Sequence, residues 1–372
     1  MALKVLIAPD KFKGTLSAAA VAEAIARGWR HVRPEDRLEL LPMSDGGEGF
    51  GEMMGRLLGA EVQTVRTVDA AHRPVTVEWW WERRTATAII ESATTIGLAL
   101  LPAGRFHPFE LDTFGLGAVL QAAANAGAKR CLLGVGGSAT NDGGFGLARS
   151  LGWRFFNRRG EEIQRWMELA ALARVEPPEA PARFGEVVVA VDVQNSLLGP
   201  SGCTRIFGPQ KGLRTGDFRL AEQRLARLAK IAEKQCGFKC ANECGTGAAG
   251  GLGFGLRCFA RAKLESGFEV FSHHADLAVR VKVAQVVLTG EGRVDEQTFM
   301  GKGAGRLAEM CRDFAVPCIV FAGEISAPAQ ALELFRRAYA LVPDLTSHEN
   351  SLSAPAVWLA KAAGIAAAEF EA

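Results

Sequence analysis

Acidic and basic side chains recur in this sequence where apolar runs give way to glycine-rich loops, a placement suited to handling an anion and a hydroxyl group together. The first such loop, Ala8-Pro9-Asp10-Lys11-Phe12-Lys13-Gly14-Thr15-Leu16-Ser17, follows the apolar Leu3 to Ala8 and precedes Val21, Ile25 and Trp29, which are spaced as a helical stripe. Ser17 is the expected helix cap. Lys11 and Lys13 suit a carboxylate or a phosphate, and the helix start adds peptide donors. Met43-Ser44-Asp45-Gly46-Gly47-Glu48-Gly49 repeats the pattern after Leu38 to Pro42. Asp45 is suited to orienting or deprotonating an alcohol, and Glu48 to binding Mg²⁺ or favouring the next helix start.

Four further segments carry chemistry. Cys131 to Gly144 joins an apolar strand to glycines and small polar residues. There Gly136, Gly137, Ser138, Thr140, Asn141 and Gly143 can wrap an anion, and Asp142 can hold a metal. Gly134, Gly136 and Ala139 also fit GxGxxA, but no acidic residue ends a strand near 155 to receive a ribose. Gly245 to Gly253 contains a second GxGxxG without a convincing strand before it; Gly247 and Gly250 serve either phosphate contact or close helix packing. Val187 to Asp192 is a buried-type strand ending in a carboxylate suited to Mg²⁺ or to a base role, and Lys211 downstream can neutralise phosphate charge. Finally, Val286 to Asp295 places Glu291 and Asp295 after a strand as metal or substrate contacts, with Arg293 and Lys302 able to stabilise charge on a transferring phosphoryl group.

Positioning these loops takes alternating strands and helices. Apolar Val-, Ile- and Leu-rich runs alternate with helical patterns at both ends of the chain, so the expected class is α/β with a largely parallel sheet. The 372-residue length favours two domains. The middle, with consecutive Trp79, Trp80 and Trp81, reads as an inserted mixed domain over 66–271, splitting a parallel-sheet domain made of 1–65 and 272–372. A net charge of +2 gives no field toward nucleic acid or membrane surfaces. The short apolar start reads as a strand instead of a signal peptide, and no segment has the length of a membrane span, so a cytoplasmic location is expected. No P-loop, HExxH or HRD/DFG sequence is present. Cys236, Cys240 and Cys244, four residues apart, would share one helix face. The expected reading is reduced, buried thiols.

In order, the runs APDKFKGTLSA, PMSDGGEG, GVGGSATNDGG, IFGPQKG, GAAGGLGFG and LTGEGRVDEQT make this chain resemble the type I glycerate kinases. The resemblance spans nearly the whole sequence. It implies a flavodoxin-like domain split by the insert, a catalytic cleft between the two, and ATP-dependent phosphorylation of D-glycerate at the 2-hydroxyl with Mg²⁺. On that reading glycerate meets Asp10, Lys11, Lys13, Ser44, Asp45 and Arg293, with Lys13 and either Asp45 or Asp192 in catalysis. Phosphates meet the 136–144 loop with Lys211, Gly247, Gly250 and Lys302, and Mg²⁺ meets Asp192, Glu291 or Asp295. A kinase for another hydroxy-acid, or a nucleotide-binding protein without turnover, are the alternatives, and a monomer or homodimer is expected. Lys11 replaces a common Ser, and Gly301 to Arg306 replaces a longer GKAP-type run.

Overall fold

The computed structural model describes residues 2–180, 184–299 and 303–371. In chain order its strands are β1 (Lys4–Ile7), β2 (Arg37–Leu40), β3 (Glu61–Val68), β4 (Pro74–Glu82), β5 (Thr87–Glu91), β6 (Arg130–Gly134), β7 (Arg154–Asn157), β8 (Leu172–Glu176), β9 (Glu186–Val191), β10 (Lys263–Ser266), β11 (Val286–Val294), β12 (Cys318–Ile325) and β13 (Arg337–Val342). The chain divides into two compact units, one of Met1–Asp45 with Phe268–Ala372 and the other of Gly46–Gly267. The boundary read at 65 falls inside β3, and the one read at 272 inside the helix Gly267–His274.

The first unit is a five-stranded sheet ordered β2-β1-β11-β12-β13, parallel throughout. Numbered within the unit, that order is 2-1-3-4-5, the flavodoxin-like arrangement. Parallel strands covered on both faces must be apolar on both. Accordingly Leu6, Val287 and Val320 are buried on one face, and on the other so are Val5, Ile7, Val286, Leu288, Ile319 and Phe321. The second set shares a core with Ile25 and Trp29 of the helix Ala18–Val32 and with Leu359 and Ala363 of the helix Pro355–Glu369. The Ser17 hydroxyl accepts the Ala20 N–H at 3.2 Å and caps the first of these helices.

One element differs from the sequence reading. Glu291 and Arg293 lie within β11, opposite Ala322 and Glu324 of β12, and not in a loop after it. Gly290 and Gly292 look like turn residues, but they are strand residues past which the backbone of the first loop runs. A Cβ on Gly292 would lie 3.4 Å from the Lys13 nitrogen, so the loop runs within contact distance of this position.

The second unit holds a six-stranded mixed sheet ordered β10-β9-β6-β5-β4-β3 and the hairpin β7-β8. The first four strands of that sheet are parallel, and β5, β4 and β3 are antiparallel neighbours. Of the consecutive tryptophans, Trp79 and Trp80 are buried, with the Trp80 indole laid against Gly51 and Gly55 of the helix Phe50–Leu58. They are core residues and present no stacking surface.

Candidate active site

In the first unit, the ends of β1 and β2 lie beside the outer half of β11 where the strand order reverses, the usual ligand position of an open α/β sheet. The Met43 N–H donates to Pro9 O and the Asp10 N–H to Gly290 O, each at 2.8 Å, tying the loops after β1 and β2 to β11. The buried Thr289 hydroxyl adds a bond to Ala8 O at 2.8 Å. Onto this frame come Asp10, Lys11, Ser44, Asp45 and Glu291. Lys11 Nζ stands 3.7 Å from Asp45 Oδ1, while the Asp10 carboxylate accepts the Lys11 N–H at 2.7 Å. The Thr298 hydroxyl donates to Glu291 Oε1 at 2.6 Å and accepts the Asp295 N–H at 3.3 Å.

Burial and mutual repulsion act on the carboxylates of this cluster. Burial, with the neighbouring Asp45 charge, pushes Asp10 up to about 7 against the lowering effect of the Lys11 N–H and ammonium. Burial also pushes Glu291 up to about 8; the Thr298 hydrogen bond opposes the shift and the charges of Asp10 and Asp295 add to it. Carboxylates that keep protons near neutrality mark candidate sites of proton transfer or cation binding. Among the described residues no three His, Cys, Asp or Glu side chains gather closely enough to hold an ion unaided. Mg²⁺ commonly binds through one or two carboxylates completed by phosphate oxygens and water, and these hard oxygen donors fit that arrangement.

Lys13 is exposed on the same loop. Arg293 projects to the surface, where it pairs with Glu324 at 2.5 Å, and Glu324 also meets His348 at 3.1 Å. Lys302 lies outside the described residues.

In the second unit, the parallel strands β5, β6 and β9 end side by side, Glu91 opposite Gly134 and Gly134 opposite Ala190. Asp192 follows β9 directly. The loop after β6 divides into an outer tip and a buried stem. Gly136 and Gly137 are accessible, whereas Ser138 through Gly144 are buried. A Cβ on Gly136 would lie 2.7 Å from Gly47 Cα, so only glycines let these two backbones approach.

Lys211 supports the stem from within. Its buried ammonium donates to Ser138 Oγ at 2.9 Å and to Thr140 O at 2.6 Å, and burial pulls it down to about 8. Asn141 Nδ2 donates to Thr204 Oγ1 at 3.0 Å. Asp142, read from sequence as a possible metal ligand, is a structural residue. It is fully buried and accepts the Thr113 N–H and hydroxyl and the Gly144 and Gly146 N–H groups at 2.8–3.2 Å. Burial and the Asp112 charge still raise it to about 6.

The second glycine run packs against this stem. Gly247 and Gly250 are buried, and the Gly143 N–H donates to Gly250 O at 3.1 Å. Gly250 has φ +69°, and a Cβ there would lie 1.9 Å from Thr140 O. Gly250→Ala is therefore expected to destabilise the protein by about 2–4 kcal/mol, through left-handed strain and overpacking, read as a lower denaturant midpoint.

Sequence reasoning missed Glu91. Its buried carboxylate accepts the Gly49 N–H and the Gly51 N–H, both at 3.0 Å, and so fixes the start of the helix Phe50–Leu58 just after the Gly46-Gly47-Glu48 segment. The available signal was a carboxylate closing the apolar run Ala88-Ile89-Ile90.

The sequence model of the Glycerate kinase family matches residues 5–370. The chain belongs to the glycerate kinase family. Among its relatives, the glycerate kinase of Halalkalibacterium halodurans is 36% identical over 353 residues, covering 94% of this chain and 93% of that protein. The glycerate 2-kinase of Escherichia coli K12 is 35% identical, covering 87% of this chain and 86% of its own length. A crystal structure of a candidate glycerate kinase 2 from Salmonella typhimurium LT2 matches with a TM-score of 0.84 at 31% identity, covering 99% of this chain and 98% of the other. This glycerate kinase family member is thus a phosphotransferase, and its kinase chemistry operates without a P-loop.

Proposed function

We propose that the protein transfers the γ-phosphoryl group of ATP to the 2-hydroxyl of D-glycerate, giving 2-phosphoglycerate and ADP in the cytoplasm. The observation that carries this reading is the pair of proton-holding carboxyls, Asp10 and Glu291, gathered with Asp45 at the switch point of a glycerate kinase family member. Each unit contributes its own part, and we treat them as two functional domains. In the first, Lys11 and Lys13 meet the substrate carboxylate, Ser44 and Asp45 meet its hydroxyls, and Asp10 accepts the hydrogen of the reacting hydroxyl. An acceptor held near pH 7 suits that task, and Asp10 is taken as the base ahead of the sequence candidates Asp45 and Asp192. In the second, the Gly136 and Gly137 amides take phosphate oxygens while Lys211 keeps the loop in shape.

Bound Mg²⁺ would be held by Glu291 and Asp295, or by Asp192, with phosphate oxygens, and would supply charge neutralisation at the phosphates. Phosphoryl transfer through a loose transition state needs little early proton abstraction, so positioning carries most of the rate.

A coupled ADP-release assay with D-glycerate, lactate, tartronate and glycolate tests the reading. D-glycerate is expected to give the highest kcat/KM. A clear preference for another acid would make the protein a kinase of that acid, and ATP binding without ADP formation from any of them would make it a nucleotide-binding protein.

A further inference from the structure

The helices Thr215–Cys236 and Ala248–Phe259 end beside one another in the second unit, and their ends gather thiols that the proposed reaction does not use. The grouping differs from the sequence expectation, because Cys244 is exposed and Cys258 takes its place. Cys240 Sγ lies 3.3 Å from Cys258 Sγ, and Cys236 Sγ lies 3.3 Å from Cys258 O. Cys240 and Cys258 are buried, whereas Cys236 is half-buried. Cys236 and Cys258 both line a cavity of about 560 Å³ with Leu120, Trp153, Val187 and Phe259, which has room for a molecule the size of a peroxide.

We propose that Cys236, Cys240 and Cys258 form a peroxide-responsive disulfide site, with Cys236 the thiol attacked and Cys258 the one that resolves it. Hydrogen peroxide transfers one oxygen atom to the Cys236 thiolate, giving a sulfenic acid and hydroxide. The Cys258 sulfur then attacks the Cys236 sulfur; the S–O bond breaks, the S–S bond forms, and the hydroxyl leaves as water with the Cys258 proton. Two thiols are oxidised by two electrons and one peroxide is reduced. The Cys240 thiolate can next displace Cys236 from Cys258 by exchange, across the 3.3 Å contact. The environment agrees with this order: a hydrogen bond from Cys258 chiefly holds the Cys236 thiol below its ordinary pKa, while hydrogen bonds with Cys236 and Cys240, and burial, raise that of Cys258.

The test is to treat the reduced full-length protein with hydrogen peroxide, alkylate it under denaturing conditions and map disulfides by mass spectrometry. Cys258 is expected to be linked to Cys236 or Cys240 within one chain. Cys236→Ser should slow that oxidation about tenfold or more, and Cys244→Ser should leave it unchanged. In Cys258→Ser, dimedone should trap a sulfenic acid on Cys236; should that variant not fold, the wild-type map decides alone. Oxidation confined to Cys244, with the other three thiols still alkylated, would overturn the proposal, as would a wild-type rate in Cys236→Ser.

Discussion

Asp10→Asn and Glu291→Gln are each expected to lower kcat/KM by about 10²-fold or more while making the protein more stable at pH 8. The two effects have one cause. Asp10 is held at about 7 and Glu291 at about 8, both above their ordinary values, because burial and neighbouring like charges disfavour ionisation. A carboxyl whose pKa is raised on folding contributes its full stability below the unfolded value, and loses that contribution as pH rises through the folded value. At pH 8 the wild-type protein therefore carries unfavourable charge that the neutral amides remove. The melting temperature of each variant should rise by about 2–4 °C for every kcal/mol relieved, and the gain should vanish near pH 4.

Asp45→Asn separates the roles. Removing its charge should lower the Asp10 pKa in the Mg²⁺-free protein, as read by carboxyl ¹³C NMR. If Asp10 is the acceptor, this variant keeps measurable turnover. Complete loss of turnover with a folded protein and an unmoved Asp10 titration would place the base at Asp45 instead.

Lys211→Met should lower kcat by about 10²-fold. Methionine keeps much of the packing volume but leaves Ser138 Oγ and Thr140 O without the buried donor that holds the stem of the phosphate loop. The pH dependence identifies the cause. Burial draws Lys211 down to about 8, so the wild-type loop should lose its internal charge, and kcat/KM should fall, as pH rises past 8. The sign for stability is opposite: for a lysine with a lowered folded pKa, the unfolded chain binds more protons between about 8 and 10.5, so stability rises with pH across that window. The stability deficit of the methionine variant should therefore be larger at pH 10 than at pH 7. A deficit independent of pH would mean that Lys211 acts through packing alone.

Much of the first unit was legible because its signals are local. An apolar run, a polar loop, a serine cap and a helical stripe specify the β1 segment and its helix within thirty residues, and they place Asp10 and Lys11 at a strand end. The extension of β11 was hidden because Gly290 and Gly292 carry the signature of a turn. Their role depends on distant neighbours, Gly292 facing the backbone at Phe12 and Lys13 and Gly290 facing the Phe12 ring and Phe321 O. Asp142 looked like a ligand because its partners at Thr113 lie 29 residues upstream. The thiol group was misread for the same reason: regular spacing suggested Cys244, while packing brought in Cys258, 18 residues from Cys240. Glycine runs announce close backbone approach without saying whether another chain segment or a phosphate makes it. Here Gly250 meets Thr140 and Asn141, and in the loop after β6 the accessible glycines are Gly136 and Gly137.

The most direct test is product identification by ³¹P NMR after incubation of the protein with ATP, Mg²⁺ and D-glycerate. The expected result is stoichiometric ADP and 2-phosphoglycerate. Formation of 3-phosphoglycerate, or no phosphorylated acid from a folded protein, would contradict the account.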